Sequence, residues 1–122
     1  MFGLSNPLVD ELLDLVLKGQ KRATASSILS YKDTKPPQVG DYSLVLNYEG
    51  EPKAIIQTQK TIIMPFNELS FEIVKAEGED DTLESWQANH RRFFSEEGAL
   101  MGYEFSETMP VLFEWFEVIE II

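Results

Sequence analysis

Two stretches of the chain hold side chains capable of chemistry. Gly19-Gln20-Lys21-Arg22-Ala23-Thr24 sets an amine shortly before a hydroxyl, and Ala76-Glu77-Gly78-Glu79-Asp80 later supplies carboxylates around a glycine. Where one helix stops at a Gly and another begins, a Lys and a Thr so spaced lie close together without long-range folding. Such a junction builds half of an active site from local structure, and the acidic turn supplies the other half. The same residues also have purely structural uses. Lys18 and Lys21 near a helix C-terminus favour the negative end of the macrodipole, Gly19 suits the left-handed position after a helix, and Thr24 suits an N-cap. The run Glu77, Glu79, Asp80 and Asp81 equally suits a solvated turn. It is too compact for an EF-hand, whose ligands spread over a loop of about 12 residues.

The elements that must position these groups follow from periodicity. Asn6 as N-cap, Pro7 at the first helical position and Asp10 and Glu11 near the positive end open a helix. Leu8, Val9, Leu12, Leu13, Val16 and Leu17 recur with a period of about 3.6, which predicts that helix over 7–18. Residues 25–29 read as a second, short helix capped by Thr24 or a neighbour and broken over 33–37. Gly40-Asp41 leads into a strand over 42–48, with Tyr42, Leu44, Leu46 and Tyr48 on one face. After a turn at 49–52, residues 53–64 return as its hairpin partner. That strand exceeds the usual length of about 5–6 residues, which predicts a bend shared between two parts of a small barrel.

Phe66, Leu69, Ile73 and Val74 then share a helical face that Gly78 interrupts. Asp81 and Glu84 have capping-box spacing and open a helix with Leu83, Trp86, His90, Phe93 and Phe94 inside and Arg91, Arg92, Glu96 and Glu97 outside. Residues 99–109 read as a loop able to lie over a pocket. Residues 111–122, apolar on both faces, read as an inner strand. Short helices around antiparallel strands make an α+β fold, expected as a single domain over 1–122.

Composition restricts the partners. With 43% hydrophobic residues in 122, the chain can bury one compact core. It contains no cysteine, which excludes disulfides and thiolate metal sites, and its single histidine excludes a His-rich metal site. No run of residues is apolar enough to span a bilayer and no signal-peptide pattern is present, so a cytoplasmic location without membrane contact is expected. Ten Lys and Arg against 21 Asp and Glu give a formal net charge of −11, which repels a phosphate backbone. A small ligand without phosphate agrees with that charge better than polymeric RNA does.

Taken together, Gly19-x-Lys21-x-x-Thr24, Gly40-Asp41 before a strand, Ala76-Glu77-Gly78-Glu79-Asp80, Leu83, Trp86 and His90 resemble an ASCH domain of the PUA-like superfamily over nearly the whole chain. The resemblance implies a small, mainly antiparallel β-barrel flanked by short helices. In the small ASCH-like amidohydrolases that the chain resembles, a Lys, a Thr and a Glu form the catalytic set, which falls on Lys21, Thr24 and Glu79. The implied substrate is the nucleoside N4-acetylcytidine, cleaved to cytidine and acetate with no cofactor and no metal. Amide cleavage needs a nucleophile, a base, oxyanion donors and an acid for the leaving amine. These roles fall to Thr24 as nucleophile, and to Lys21 as base if burial or Arg22 or Lys18 lowers its pKa from ~10.4 towards ~7–8. Glu79 orients Lys21 or protonates the leaving nitrogen, and N–H groups at the start of the second helix bind the oxyanion. Ser26, Glu77, Trp86 and His90 are the candidate substrate-binding residues, although Trp86 and His90, one helical turn apart on an apolar face, suit a core better.

Two features depart from that pattern. Ala25-Ser26-Ser27 follows Thr24 where the amidohydrolases have a hydrophobic residue and an Arg, and Trp86-x-x-x-His90-x-x-Phe93-Phe94 resembles another ASCH branch. For that branch the implied activity is a ribonuclease using the Lys, the acidic residues and a divalent metal; a plain RNA-binding module is a third alternative. The net charge predicts that mixed single-stranded RNA binds no tighter than about 10⁻⁴ to 10⁻⁶ M and dissociates as salt rises. An anisotropy titration checks this, and a tight, salt-resistant complex would identify a binding module instead.

Overall fold

The computed structural model describes residues 6–122, with the side chains of 10–122. The apolar stripe of the first segment forms helix α1 (Asn6–Leu17), which buries Leu13 and Val16. Its expected capping by Asn6 lies outside the described side chains. After Gly19, at φ +79°, the chain enters strand β1 (Ala23–Ser27) instead of the helix expected over 25–29. Alternation is the reason: Ala23 and Ala25 turn into the core, while the backbone pairs with strand β4 (Pro110–Ile121). Only a 3-10 turn, Ile28–Ser30, follows. Ser27, not Thr24, caps it, its Oγ accepting from Leu29 N at 3.1 Å.

Strands β2 (Tyr42–Leu46) and β3 (Pro52–Pro65) form the expected hairpin, and β3 continues along nearly the full length of β4. The order β1-β4-β3-β2 is antiparallel throughout. Bulges within the β3–β4 pairing bend the long strands and curl the sheet into a half-barrel, so the molecule has the α+β, PUA-like fold. β4 is an inner strand, as its two apolar faces require. On β2 the face bearing Tyr42 and Leu44 turns to solvent and Val45 turns inward.

The two faces of the sheet bury different helices. Leu13 and Val16 of α1 pack with Val45, Ala54, Ile56 and Phe116 on one face. On the other, Ala23, Val111 and Phe113 meet Phe66, Leu69, Val74 and helix α3 (Leu83–Met101) through Trp86 and Phe94. The helical pattern after Pro65 resolves into a 3-10 turn, a one-turn helix α2 (Phe71–Val74) and a second 3-10 turn (Lys75–Glu77). Thr82, not Asp81, caps α3, its Oγ1 accepting from Ser85 N at 3.1 Å. The helix also runs on through Met101, so only 102–109 is a loop. None of its residues lines the acidic cavity described below. Tyr103, Phe105 and Met109 pack on the α3 core, and Arg91 grips Glu107 through two hydrogen bonds of 2.9 Å. No helix among the described residues is long and apolar enough to cross a membrane.

Gly78 joins the acidic turn to the start of β1. It has φ +73°, and a Cβ there would stand 2.3 Å from the carbonyl oxygen of Gln20. Gly50 has a similar φ, +84°, with nothing within 4 Å of an added Cβ. Gly50→Ala is therefore expected to cost only the left-handed backbone penalty of about 1–2 kcal/mol. Gly78→Ala adds a collision with backbone and should cost clearly more. Urea midpoints of the two variants check this, and equal losses would refute the close approach.

Candidate functional site

Short backbone links set the acidic turn beside the entrance to β1. Arg22 N donates to Ala76 O at 2.9 Å, and Gln20 Nε2 donates to Gly78 O at 2.7 Å. Lys21 thereby points inward and is 1% exposed. Its ammonium donates to Glu77 Oε2 at 2.9 Å and to Glu79 Oε2 at 2.6 Å. The other oxygen of Glu77 accepts from Trp86 Nε1 at 3.0 Å and lies 3.2 Å from His90 Nε2. His90 Nδ1 lies 2.9 Å from the carbonyl oxygen of Trp86. A carbonyl and an ionised carboxylate only accept, so the pair of contacts favours the protonated form of His90, in which both ring nitrogens donate.

The charges of this cluster hold one another in place. Burial opposes the positive charge of Lys21, but Glu77 and Glu79 outweigh it and the pKa rises. The expectation of a base with a lowered pKa is therefore reversed: Lys21 is a fixed cation, because two carboxylates face it where Arg22 or Lys18 was expected to repel it. Burial likewise disfavours ionised Glu77, yet Lys21 and His90 together lower its pKa below the usual carboxylate range. Glu79 goes the other way. Burial first, and then the charge of Glu77, push its carboxyl up to about 7, with Lys21 offsetting only part. Burial lowers the pKa of His90, but Glu77 more than compensates and it rises.

Lys21, Thr24, Ser26, Glu77, Glu79 and His90 all line one cavity of about 630 Å³, within the range of roughly 300–1,000 Å³ common for small-ligand sites. Glu77 is 2% exposed with both oxygens engaged, so it anchors Lys21, Trp86 and His90 and is not placed to bind substrate. Glu79, at 19% side-chain exposure, is the carboxyl that remains open to the cavity. Trp86, a candidate for substrate binding that also suited a core position, is 1% exposed and stacks on His90 at 4.1 Å and on Phe66 at 5.5 Å, so it belongs to the core. The Oγ of Ser26 and the hydroxyl of Tyr31 share a hydrogen bond of 2.8 Å on the cavity wall. The oxyanion donors expected from a helix start have no helix there, since Thr24 lies in β1.

Sequence reasoning missed Tyr31, Asn89, Leu12, Leu15 and Ala25, which also line the cavity. Leu12 and Leu15 carried a signal only as helix positions, and Tyr31 carried none. Among the described residues no group of three or more His, Asp or Glu is arranged to hold a metal ion.

Comparison with known proteins places this geometry in context. The sequence model of the ASCH domain matches residues 1–120. The crystal structure of an ASCH domain from Lactobacillus crispatus is similar with a TM-score of 0.87 and 37% identity, over 96% of this chain and 76% of that one. A crystal structure of an Enterococcus faecalis protein is similar with a TM-score of 0.91 and 39% identity, over 99% of this chain and 75% of that one. No protein of curated function matches the chain significantly.

The cluster predicts the sign of a pH effect on stability. A raised folded-state pKa contributes stability present below the unfolded value and lost as pH rises through the folded one. For Glu79 that window runs from 4.5 to about 7, and His90 adds the same sign above 6.5. Glu77 acts oppositely, losing its contribution only as pH falls below 4.5. Denaturant midpoints should therefore fall between pH 5 and pH 8, and Glu79→Gln should flatten that slope. An unchanged slope in the variant would remove Glu79 as its source.

Proposed function

The chain belongs to the ASCH domain family, and we infer that it is an amidohydrolase that removes the acyl group from N4-acetylcytidine or a closely related N-acylated nucleoside. One observation carries the reading: a carboxyl poised near neutrality, Glu79, is bonded to a fixed cation, Lys21, in a cavity that Thr24 also lines. General acid–base work is most effective when the catalytic pKa lies near the working pH.

The residues take these roles. Ionised Glu79 accepts the proton of Thr24 as its oxygen attacks the acetyl carbonyl carbon. The charge of Lys21 offsets the negative charge that develops on the carbonyl oxygen. The C–N4 bond then breaks, Glu79 returns the proton to the leaving nitrogen, and cytidine departs from a Thr24 acetyl ester. Water attacks that ester and gives a proton to Glu79; the ester C–O bond breaks, Glu79 reprotonates Thr24, and acetic acid leaves and loses its proton to solvent as acetate. One amide and one water are consumed, and Glu79 ends as it began. Lys21, expected as the base, acts here as an electrostatic group.

The lining also favours an uncharged nucleoside over RNA. Glu11, Glu77, Glu79, Asp80, Glu96 and Glu97 face the cavity against Lys21, His90 and Arg92, and Lys21 and His90 are already paired with the buried carboxylates. A phosphodiester would meet net negative potential there. This weighs against the ribonuclease and RNA-binding alternatives.

Acetate release from N4-acetylcytidine tests the reading. Glu79→Gln should lower turnover by about 10² to 10⁴ with the fold intact, the usual contribution of a general acid–base group. Thr24→Ala should be at least as damaging, and the wild-type rate should rise with pH through about 7 as Glu79 ionises. Absence of acetate release by the folded wild-type protein would overturn the reading.

A further inference from the structure

Among the described residues β1 ends the sheet and pairs only with β4. Continued one residue before Ala23↔Trp115, the register sets Arg22 opposite Phe116 at the end of the ladder, where Phe116 N donates to Arg22 O at 3.0 Å while Arg22 N donates to Ala76 O at 2.9 Å. Opposed antiparallel residues alternate between exchanging both hydrogen bonds and exchanging none. Thr24 and Ser26 therefore turn their backbone groups to β4, and Ala25 turns its N–H and C=O to the outer edge. The side chain of Ala25 packs against the core that contains Phe113 and Trp86, so what Ala25 presents to the cavity is its peptide. Among the described residues, no protein group bonds to that N–H or C=O.

The surroundings suit a flat ring. α1 covers one face of the sheet and α3 the other, and both contribute to the lining, so the cavity wraps the exposed edge of β1. Leu12 and Leu15 from α1 and Phe93 from α3 offer apolar surface to the faces of a heterocycle seated there. An extended residue with its N–H and C=O on one side matches a ring that carries an acceptor and a donor on adjacent atoms.

We propose that the Ala25 peptide reads the pyrimidine edge, its N–H donating to ring nitrogen N3 and its C=O accepting from the exocyclic N4–H. This contact rests on the nucleoside reading above and specifies how that site selects its substrate. Cytidine and its N4-acyl derivative both present the pair. 3-Deazacytidine keeps the N4–H but replaces the N3 acceptor with C–H, leaving the Ala25 N–H without a bond.

A double-mutant cycle between protein and ligand tests the contact. Wild-type protein should bind cytidine about tenfold more tightly than 3-deazacytidine, the usual worth of one hydrogen bond. Cytidine should also shift the Ala25 amide resonance in a ¹⁵N-edited titration. Ala25→Pro removes the N–H where an edge strand tolerates proline, and it should erase the preference between the two probes. Should that variant fail to fold, the wild-type preference and the Ala25 amide shift remain decisive. Discrimination together with the amide shift, but without acetate release from N4-acetylcytidine, would sustain the contact and sink the hydrolase reading. Acetate release with a silent Ala25 amide and equal binding of the probes would sink the contact alone. Absence of cytidine binding would overturn it as well.

Discussion

The buried carboxylate of Glu77 is the interaction on which the rest of the site depends. It receives Lys21 from the entrance to β1 and both Trp86 and His90 from α3. An unpaired charge at such depth is strongly unfavourable, and removing one partner of a buried pair typically costs about 3–5 kcal/mol. The segment before β1, the acidic turn and the start of α3 are consequently tied to one another. The stack of His90, Trp86 and Phe66 extends this polar knot into the aromatic core, so the electrostatic and apolar parts of the molecule share one anchor.

That arrangement assigns roles that residue type alone would not suggest. An amine between two carboxylates stays charged, and a carboxyl beside a second, deeper carboxylate holds its proton to near neutrality. Lysine thus becomes the fixed charge, and glutamate the group whose pKa is raised to about 7. Glu114 obeys the same logic elsewhere. Burial raises its pKa, and Thr58 donates a hydrogen bond to it on the α1 side of the sheet.

The open edge of β1 is the second constraint. Unpaired strand edges invite pairing with other chains, and proteins commonly cover them. Here α1 and α3 flank the edge, and the gap between them is the acidic cavity. A single architectural choice, a half-barrel whose terminal strand lies between two helices, therefore shields the edge and keeps a donor–acceptor pair accessible to a small ligand.

Much of the framework was legible in the chain. The stripe in α1, the β2–β3 hairpin, the doubly apolar β4 and the Trp86 to Phe94 face of α3 all follow from side-chain period, which local burial enforces. Lys21 and the acidic turn stood out by residue type and setting, whereas the choice of Glu79 within that turn came only from the family resemblance. What failed was local in appearance and tertiary in cause. Residues 25–27 became strand, with only a 3-10 turn after them, because pairing with distant β4 outweighs a weak helical preference, and 99–101 stayed helical because Gly98 and Phe94 pack against the core and the 102–109 loop. Protonation was the least legible property. The sequence by itself determined which groups are present and which faces they share, because those depend on composition and period. Only the tertiary structure decided that Lys21 keeps its charge, that Glu77 is an anchor and Glu79 is open, and that the Ala25 peptide faces a cavity. Burial, ion-pair distance and strand pairing arise between segments far apart in the chain, and no local pattern encodes them.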